Sequence, residues 1–348
     1  MDLLTTSAQR AFRACPRLYS IKYEQGYRPI NESEPLRFGK LGHHGLEAWW
    51  RAAAEDPDNP DVWWGAALAA IEREEPEGYQ RSRAQALMWG YHCRWQTDCI
   101  RVLGVEVEFL GPLCNPETGG VSQTWLAAGK IDAIVEVYGR IAVVEHKTTA
   151  EDVAPGSDYW TRLHLDPQVT NYVNGARMLG YDADGAIYDV LRKPRLAPLM
   201  ATPVEQRRYT KPRKDEPSRL YAGQRDRDEE PDAYYQRIID TVAEDVESYY
   251  QRAFVVRLED EEREGALDLW QTGTQIRDAR RLSVWPRNPD ACQRYGRRCD
   301  FWDACAGLAS LDDRTRYRRV ENPHEELTLA GPHMAQQAAE NTKGTEHA

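Results

Sequence analysis

Apolar residues along this chain switch repeatedly between two periods, and those switches outline its architecture. From Thr6 to about residue 100 they fall at helical spacing, as in "FRACPRLYSIKY", where Phe12, Cys15, Leu18 and Tyr19 share a face. Thr6 or Ser7 is the predicted first cap, and Pro16 predicts a kink or a break into two short helices. Further helices are predicted from about Gly39 through "LGHHGLEAWWRAAAE", over "DVWWGAALAAIEREE" and over "YQRSRAQALMWGYHCRWQTDCI". The period then drops to two. "VLGVEVEFLGPL", "TWLAAGKIDAIVEVY" and "RIAVVEHKTT" read as strands, the last two joined by a tight turn at Gly139. "DPQVTNYVNGARMLGY" returns to helical spacing and "GAIYDVLRKP" to a strand. "YYQRIIDTVAEDVESYYQ" and "EEREGALDLWQTGTQIRDARR" close the pattern as helices.

The expected fold is therefore α/β: one domain over 1–311, with a small sheet core at about 102–195. Helical parts cover 6–100 and 232–311. The polar stretch 204–230 is expected to be a long mobile loop over the substrate, and 312–348 a polar, disordered tail.

Composition adds little to this outline. Of 348 residues, 41% are hydrophobic and 29% charged, the mix of a soluble globular protein. No run approaches a membrane-spanning helix, and the N-terminus lacks a signal peptide's basic start and apolar core, so a cytoplasmic location is expected. In a reducing compartment the seven cysteines are not expected to form structural disulfides. The net charge of −11 opposes non-specific nucleic-acid binding, but its distribution matters more. Arginines gather at Arg277, Arg280, Arg281, Arg287, Arg294, Arg297 and Arg298, against only Asp278 and Asp290.

Chemistry concentrates in "GKIDAIVEVYGRIAVVEHKTT". Glu145 and Lys147 alternate onto one face of a strand, and the hairpin folds Asp132 back toward them. Such a triplet also occurs on solvated strands, but Val143 and Val144 lead directly into Glu145 and make this a buried strand end. Two carboxylates suit Mg²⁺ or Mn²⁺, which take oxygen ligands and can activate water against a phosphate. Lys147 would hold that water or offset developing charge.

With these residues in this order, the segment resembles the core of the PD-(D/E)xK nuclease superfamily, in its RecB-like branch. "FGKLGHHGLEA" is similar to the branch's helical histidine motif, which makes His43 the match and His44 its competitor. "QVTNY" resembles its Q-x-x-x-Y motif, with Gln168 and Tyr172 one helical turn apart. The resemblance implies a restriction-endonuclease-like core, a small central mixed sheet flanked by helices. It implies metal at Asp132, Glu145, His43 and the backbone carbonyl of His146, with Lys147 orienting water and Gln168 and Tyr172 positioning the strand. The implied reaction is hydrolysis of DNA to 5′-phosphates, on single strands or DNA ends.

Cys15 near the N-terminus and Cys292, Cys299 and Cys305 near the C-terminus form a second group, while Cys93, Cys99 and Cys114 read as ordinary thiols. Four thiolates suit zinc or an iron–sulfur cluster. The one-plus-three split is similar to AddB-type and CRISPR adaptation nucleases, which implies a 4Fe-4S cluster joining the two ends of the chain, with zinc as the alternative. The interval from Cys292 to Cys299 is longer than the two residues usual there. The rival readings are a non-catalytic DNA- or protein-binding module with the same fold and an iron–sulfur redox protein. The latter lacks any flavin or nicotinamide fingerprint. No G-x-x-x-x-G-K-[ST] loop is present, so a helicase or recombination partner would act in trans. The compact layout suits a phage or free-standing bacterial enzyme.

Overall fold

A computed structural model describes residues 1–75, 77–211, 218–294 and 297–328. The helices are α1 (Thr6–Ala14), α2 (Pro16–Tyr19), α3 (Glu34–Glu55), α4 (Pro60–Glu74), α5 (Tyr79–Trp95), α6 (Asp158–Leu163), α7 (Pro167–Met178), α8 (Pro231–Glu244), α9 (Glu259–Leu282) and α10 (Trp302–Cys305). The strands are β1 (Asp2–Leu4), β2 (Tyr27–Pro29), β3 (Arg101–Cys114), β4 (Val121–Val137), β5 (Arg140–Thr149), β6 (Ala183–Arg192), β7 (Tyr250–Val255), β8 (Gln293–Arg294), β9 (Arg297–Arg298) and β10 (Tyr317–Arg319). Helices α3, α4, α7 and α8 each open with proline in the first turn, where its missing N–H costs nothing and its φ is already helical. The chain breaks at Pro16 as expected, but the first cap is Thr5, whose Oγ1 accepts from Ala8 N at 3.2 Å, rather than Thr6 or Ser7. Helix α3 starts at Glu34, a turn earlier than Gly39.

Six strands form one mixed sheet in the order β1-β4-β5-β6-β7, with β3 along the opposite edge of β4. Strand alternation sends Ala133, Val135, Ala142, Val144, Ile187 and Leu191 into the core under α3, α4, α5 and α8. Ile134, Val143, Ala186, Tyr188 and Val190 face the other way, toward α6 and α7. The expected mixed sheet between helices is therefore present, and two strands extend it. β1 comes from the first residues, and β7 occupies the end of the segment read as one helix over "YYQRIIDTVAEDVESYYQ". The tyrosines there fit helical spacing, but Tyr250 is a strand residue whose hydroxyl donates to Leu87 O at 2.6 Å.

One segment boundary also changes. Residues 312–328 are folded onto the body rather than forming a tail. Strand β10 pairs with β2, Tyr317 stacks on Phe301 at 5.5 Å, and Leu327 is buried against Leu3, Leu126 and Ala128. These apolar residues are too sparse to show a period, and each is buried by a different neighbour. The rest of the expected tail, 329–348, lies outside the described residues, as do 212–217 of the expected loop. The arms of that loop are laced together: Tyr209 bridges Leu220, and Thr202 N, just before the loop, donates to Arg225 O at 2.9 Å. Among the described residues no helix is long and apolar enough to cross a membrane.

Candidate active site

One edge of β4 is shared by two partners that leave a gap between them. β1 pairs in parallel with Trp125–Ala127, and β5 pairs antiparallel with Ala133–Val137, so 128–132 have no strand partner on that edge. Asp132 stands at the fork where β5 departs, and its Oδ2 accepts from His146 N at 2.7 Å. The side chain thus replaces the ladder bond that strand divergence removes. The N–H and C=O of one residue in a strand leave by the same edge, so the His146 carbonyl leaves β5 on the side of β4.

Beyond the fork, Glu145 and Lys147 face α7, as alternation requires. Lys147 Nζ donates to Glu145 Oε1 at 2.5 Å and to Gln168 Oε1 at 2.8 Å, and Gln168 Nε2 donates to Tyr172 Oη at 3.0 Å. Five of the predicted residues, Asp132, Glu145, Lys147, Gln168 and Tyr172, are therefore gathered at one place. Gly129 and Gly175 make room for this arrangement. A Cβ on either would meet the Phe109 ring, at 2.7 and 2.4 Å, and that ring packs edge-on against Tyr172.

The electrostatics are unbalanced. Burial, and then the charge of Glu145, push the Asp132 carboxyl up to about 7, against the pull of His146. Glu145 is 5% exposed, and its Oε2 is buried without a hydrogen-bond partner. A buried, unpaired carboxylate oxygen beside a second carboxyl is costly for protein alone and is the donor chemistry that a hard divalent cation takes. The residues fit such an ion in kind. Among the described residues, however, no group of three or more His, Cys, Asp or Glu side chains is spaced to hold a metal ion.

His43 on α3 lies beside His146 and Lys147. Its ring faces that of His146 at 6.4 Å, and burial, with His146 and Lys147 next, lowers its pKa to about 3. The neutral imidazole this favours is the form that can donate a lone pair. The His146 side chain points away from Lys147 into a buried network. Its Nδ1 lies 3.1 Å from Asp189 Oδ2, an ion-pair contact outside hydrogen-bond alignment. Arg252 Nε donates to Asp189 Oδ1 at 3.0 Å, and Arg252 Nη2 to Tyr91 Oη at 2.8 Å. Burial disfavours the Asp189 anion, but Arg252 and His146 together bring its pKa down to about 2.

Two residues at the site are not among those the sequence assigns to it. Glu106 on β3 sits between the registered pairs Val105–Ala133 and Val107–Ile131, opposite Asp132, and helps raise its pKa. It pairs with Lys130 and holds φ at 54°, a strained conformation for a non-glycine residue. The repeated acids of "VEVEF" were its one sequence signal. Arg10 on α1 pairs with Asp166, the N-cap of α7. Burial opposes its charge, while Asp166, Glu145 and Tyr172 favour it.

The four grouped cysteines also converge. Asn288 N donates to Cys15 Sγ at 3.4 Å, the Cys292 thiol reaches Asn288 O at 3.7 Å, and Cys299 N donates to Cys292 O at 2.8 Å. Burial pushes up the thiols of Cys299 and Cys305; Cys292 adds to both effects, and Cys15 to that on Cys305. Across the long Cys292–Cys299 interval, β8 pairs with β9 and Cys299 is returned to Cys292. All seven cysteines are free thiols.

A family model described as the PD-(D/E)XK nuclease superfamily matches residues 4–306. No curated protein matches the chain. Among solved structures, a protein from Eubacterium rectale proposed as an exonuclease is 11% identical, with a TM-score of 0.45 and 88% of each chain covered. The structure of SSO0001 is 15% identical, with a TM-score of 0.21, covering 58% of this chain and 74% of its own. At these scores neither likeness bears on function.

Proposed function

Because the chain belongs to the PD-(D/E)XK nuclease superfamily, we propose that it is a Mg²⁺- or Mn²⁺-dependent deoxyribonuclease acting on single strands or DNA ends. The observation that carries this reading is the buried, unpartnered Glu145 Oε2 beside an Asp132 carboxyl raised to about 7. Asp132 and Glu145 would hold the ion, with His43 and the His146 carbonyl as further donors. When bound, a divalent ion supplies charge that acidifies the attacking water and offsets that of the phosphate. Lys147, fixed between Glu145 and Gln168, orients the water and faces the developing negative charge. Gln168 and Tyr172, locked to each other, orient the strand.

Cys15, Cys292, Cys299 and Cys305 are the proposed ligands of a 4Fe-4S cluster, supported by their convergence from both ends of the described chain. Iron and sulfide analysis of anaerobically purified protein checks this, with both lost in Cys299→Ser. Zinc without sulfide would overturn it.

The reaction is tested with end-labelled single- and double-stranded DNA, Mg²⁺ or Mn²⁺, and the Lys147→Ala and Asp132→Ala variants. Metal-dependent cutting is expected, with about a 10²–10⁴-fold loss in Lys147→Ala. Cutting that survives both substitutions would falsify the site. A folded, Mn²⁺-binding protein that cuts nothing would point to a non-catalytic binding module.

A further inference from the structure

Resting on the nuclease reading above, we propose that Arg10 is a phosphate-binding residue of this site, exchanging Asp166 for a DNA phosphate when a strand is bound. Arg10 hydrogen-bonds to Asp166 through one guanidinium nitrogen, and 45% of its side chain is exposed, against 10% for Asp166. A guanidinium carries five N–H donors in a planar fork suited to phosphate, so most of that capacity remains available.

Its position follows from two rigid connections. Asn171 on α7 binds Thr6 Oγ1 at 3.0 Å and Gln9 Oε1 at 3.4 Å, both buried, which fixes α1 against α7. Asp166 caps α7 through Gln168 N at 3.0 Å, and Gln168 holds Lys147. Arg10 is therefore two residues from the Lys147 clamp along a continuous set of contacts. The Asp166 backbone is held independently, its carbonyl accepting from Arg257 Nη2 at 3.1 Å. Removing Arg10 should therefore leave α7 and its cap in place.

Arg13 supplies the contrast. It lies one turn further along α1 and pairs with Asp268 on α9 at 2.8 Å, with both side chains about half exposed. This solvated surface pair ties α1 to α9.

The test measures binding of a labelled single-stranded oligonucleotide to full-length Lys147→Ala protein over a range of salt concentrations. Adding Arg10→Gln should weaken binding about 5- to 10-fold and lower the salt slope by about 0.7, the value of one single-strand phosphate contact. Arg10→Lys should keep the slope and part of the affinity. Asp166→Asn should bind as tightly as its parent or more tightly, because it removes the negative charge that competes with phosphate for the guanidinium. Arg13→Gln should change neither quantity. An unchanged Kd and slope in Arg10→Gln would overturn the proposal, as would equal weakening by Asp166→Asn, which would make the pair a structural tie. Equal weakening by Arg13→Gln would overturn it too, by reducing Arg10 to general surface charge. These outcomes in a protein that cuts DNA defeat only the role of Arg10, whereas wild-type protein without metal-dependent cutting defeats the reading beneath it.

Discussion

The central sheet carries charged groups on both faces, and the two sets are in opposite states. Toward α3 and α5, Asp189 is fully buried but held by Arg252 Nε at 3.0 Å, by the Tyr91 hydroxyl and by the nearby His146 ring. Arg252 also reaches Asp98 at 2.7 Å and lies over the Trp95 ring, 4.2 Å from its centroid. Toward α7, Asp132 and Glu145 share one buried corner with a single lysine contact, and one carboxylate oxygen has no hydrogen-bond partner. Both clusters are expensive to bury. One compensates its charge within the protein, and the other leaves acid uncompensated, as expected where an external cation and a phosphate are handled.

The sharpest way to break this comparison is to remove one partner from each face. Arg252→Ala leaves Asp189 buried without its guanidinium partner and should cost about 3–5 kcal/mol of stability in chemical denaturation. Glu145→Gln should shift stability by less than about 1 kcal/mol while eliminating cutting, because relief of the repulsion with Asp132 offsets the lost charge on the Lys147 pair. Equal losses from the two variants would refute the contrast.

A smaller effect is expected from the cation itself. Mn²⁺ at 100 times its Kd should stabilise the wild type by about 2.7 kcal/mol through mass action. Asp132→Asn should lose most of that gain, while Arg101→Ala, on the exposed pair with Glu136, should keep it. Thermal melts with and without metal read this directly.

The pH dependence carries a sign that sharpens the comparison further. A carboxyl raised from 3.8 to about 7 takes up a proton on folding, so its contribution to stability is present below pH 3.8 and lost as pH rises to about 7. His43, lowered by burial and its cationic neighbours from 6.5 to about 3, acts oppositely and adds stability as pH rises through that interval. Subtracting curves isolates the first effect. In metal-free protein, Asp132→Asn should gain on the wild type steadily between about pH 4 and pH 7, and a flat difference would refute the assignment. The smallest expected effect is at the exposed Arg101–Glu136 pair, where Arg101→Ala should change metal-free stability by about 0–1 kcal/mol.

Periodic elements were readable from local sequence. Strand β5 was predicted residue for residue from "RIAVVEHKTT", and α7, the break at Pro16 and the Gly139 turn followed from spacing and turn chemistry. The same alternation put Glu145 and Lys147 on one face, and helical spacing paired Gln168 with Tyr172. Elements without their own period were not readable. β1 has three residues and exists because β4 offers a free edge, while Tyr317 and Leu327 are ordered by neighbours far away in the chain.

What the sequence determined by itself is the set of chemical groups and their order: two acids, a lysine, a glutamine, a tyrosine and four grouped cysteines. Only the tertiary structure decided how complete each set is. It opened the fork in β4 that gives Asp132 to the His146 amide, turned the His146 ring toward Asp189, and brought Arg10 to Asp166 across 156 positions. The physical reason is range. Backbone periodicity is set by neighbours a few residues apart, whereas the pairing of a buried charge depends on whichever distant side chain the fold places beside it.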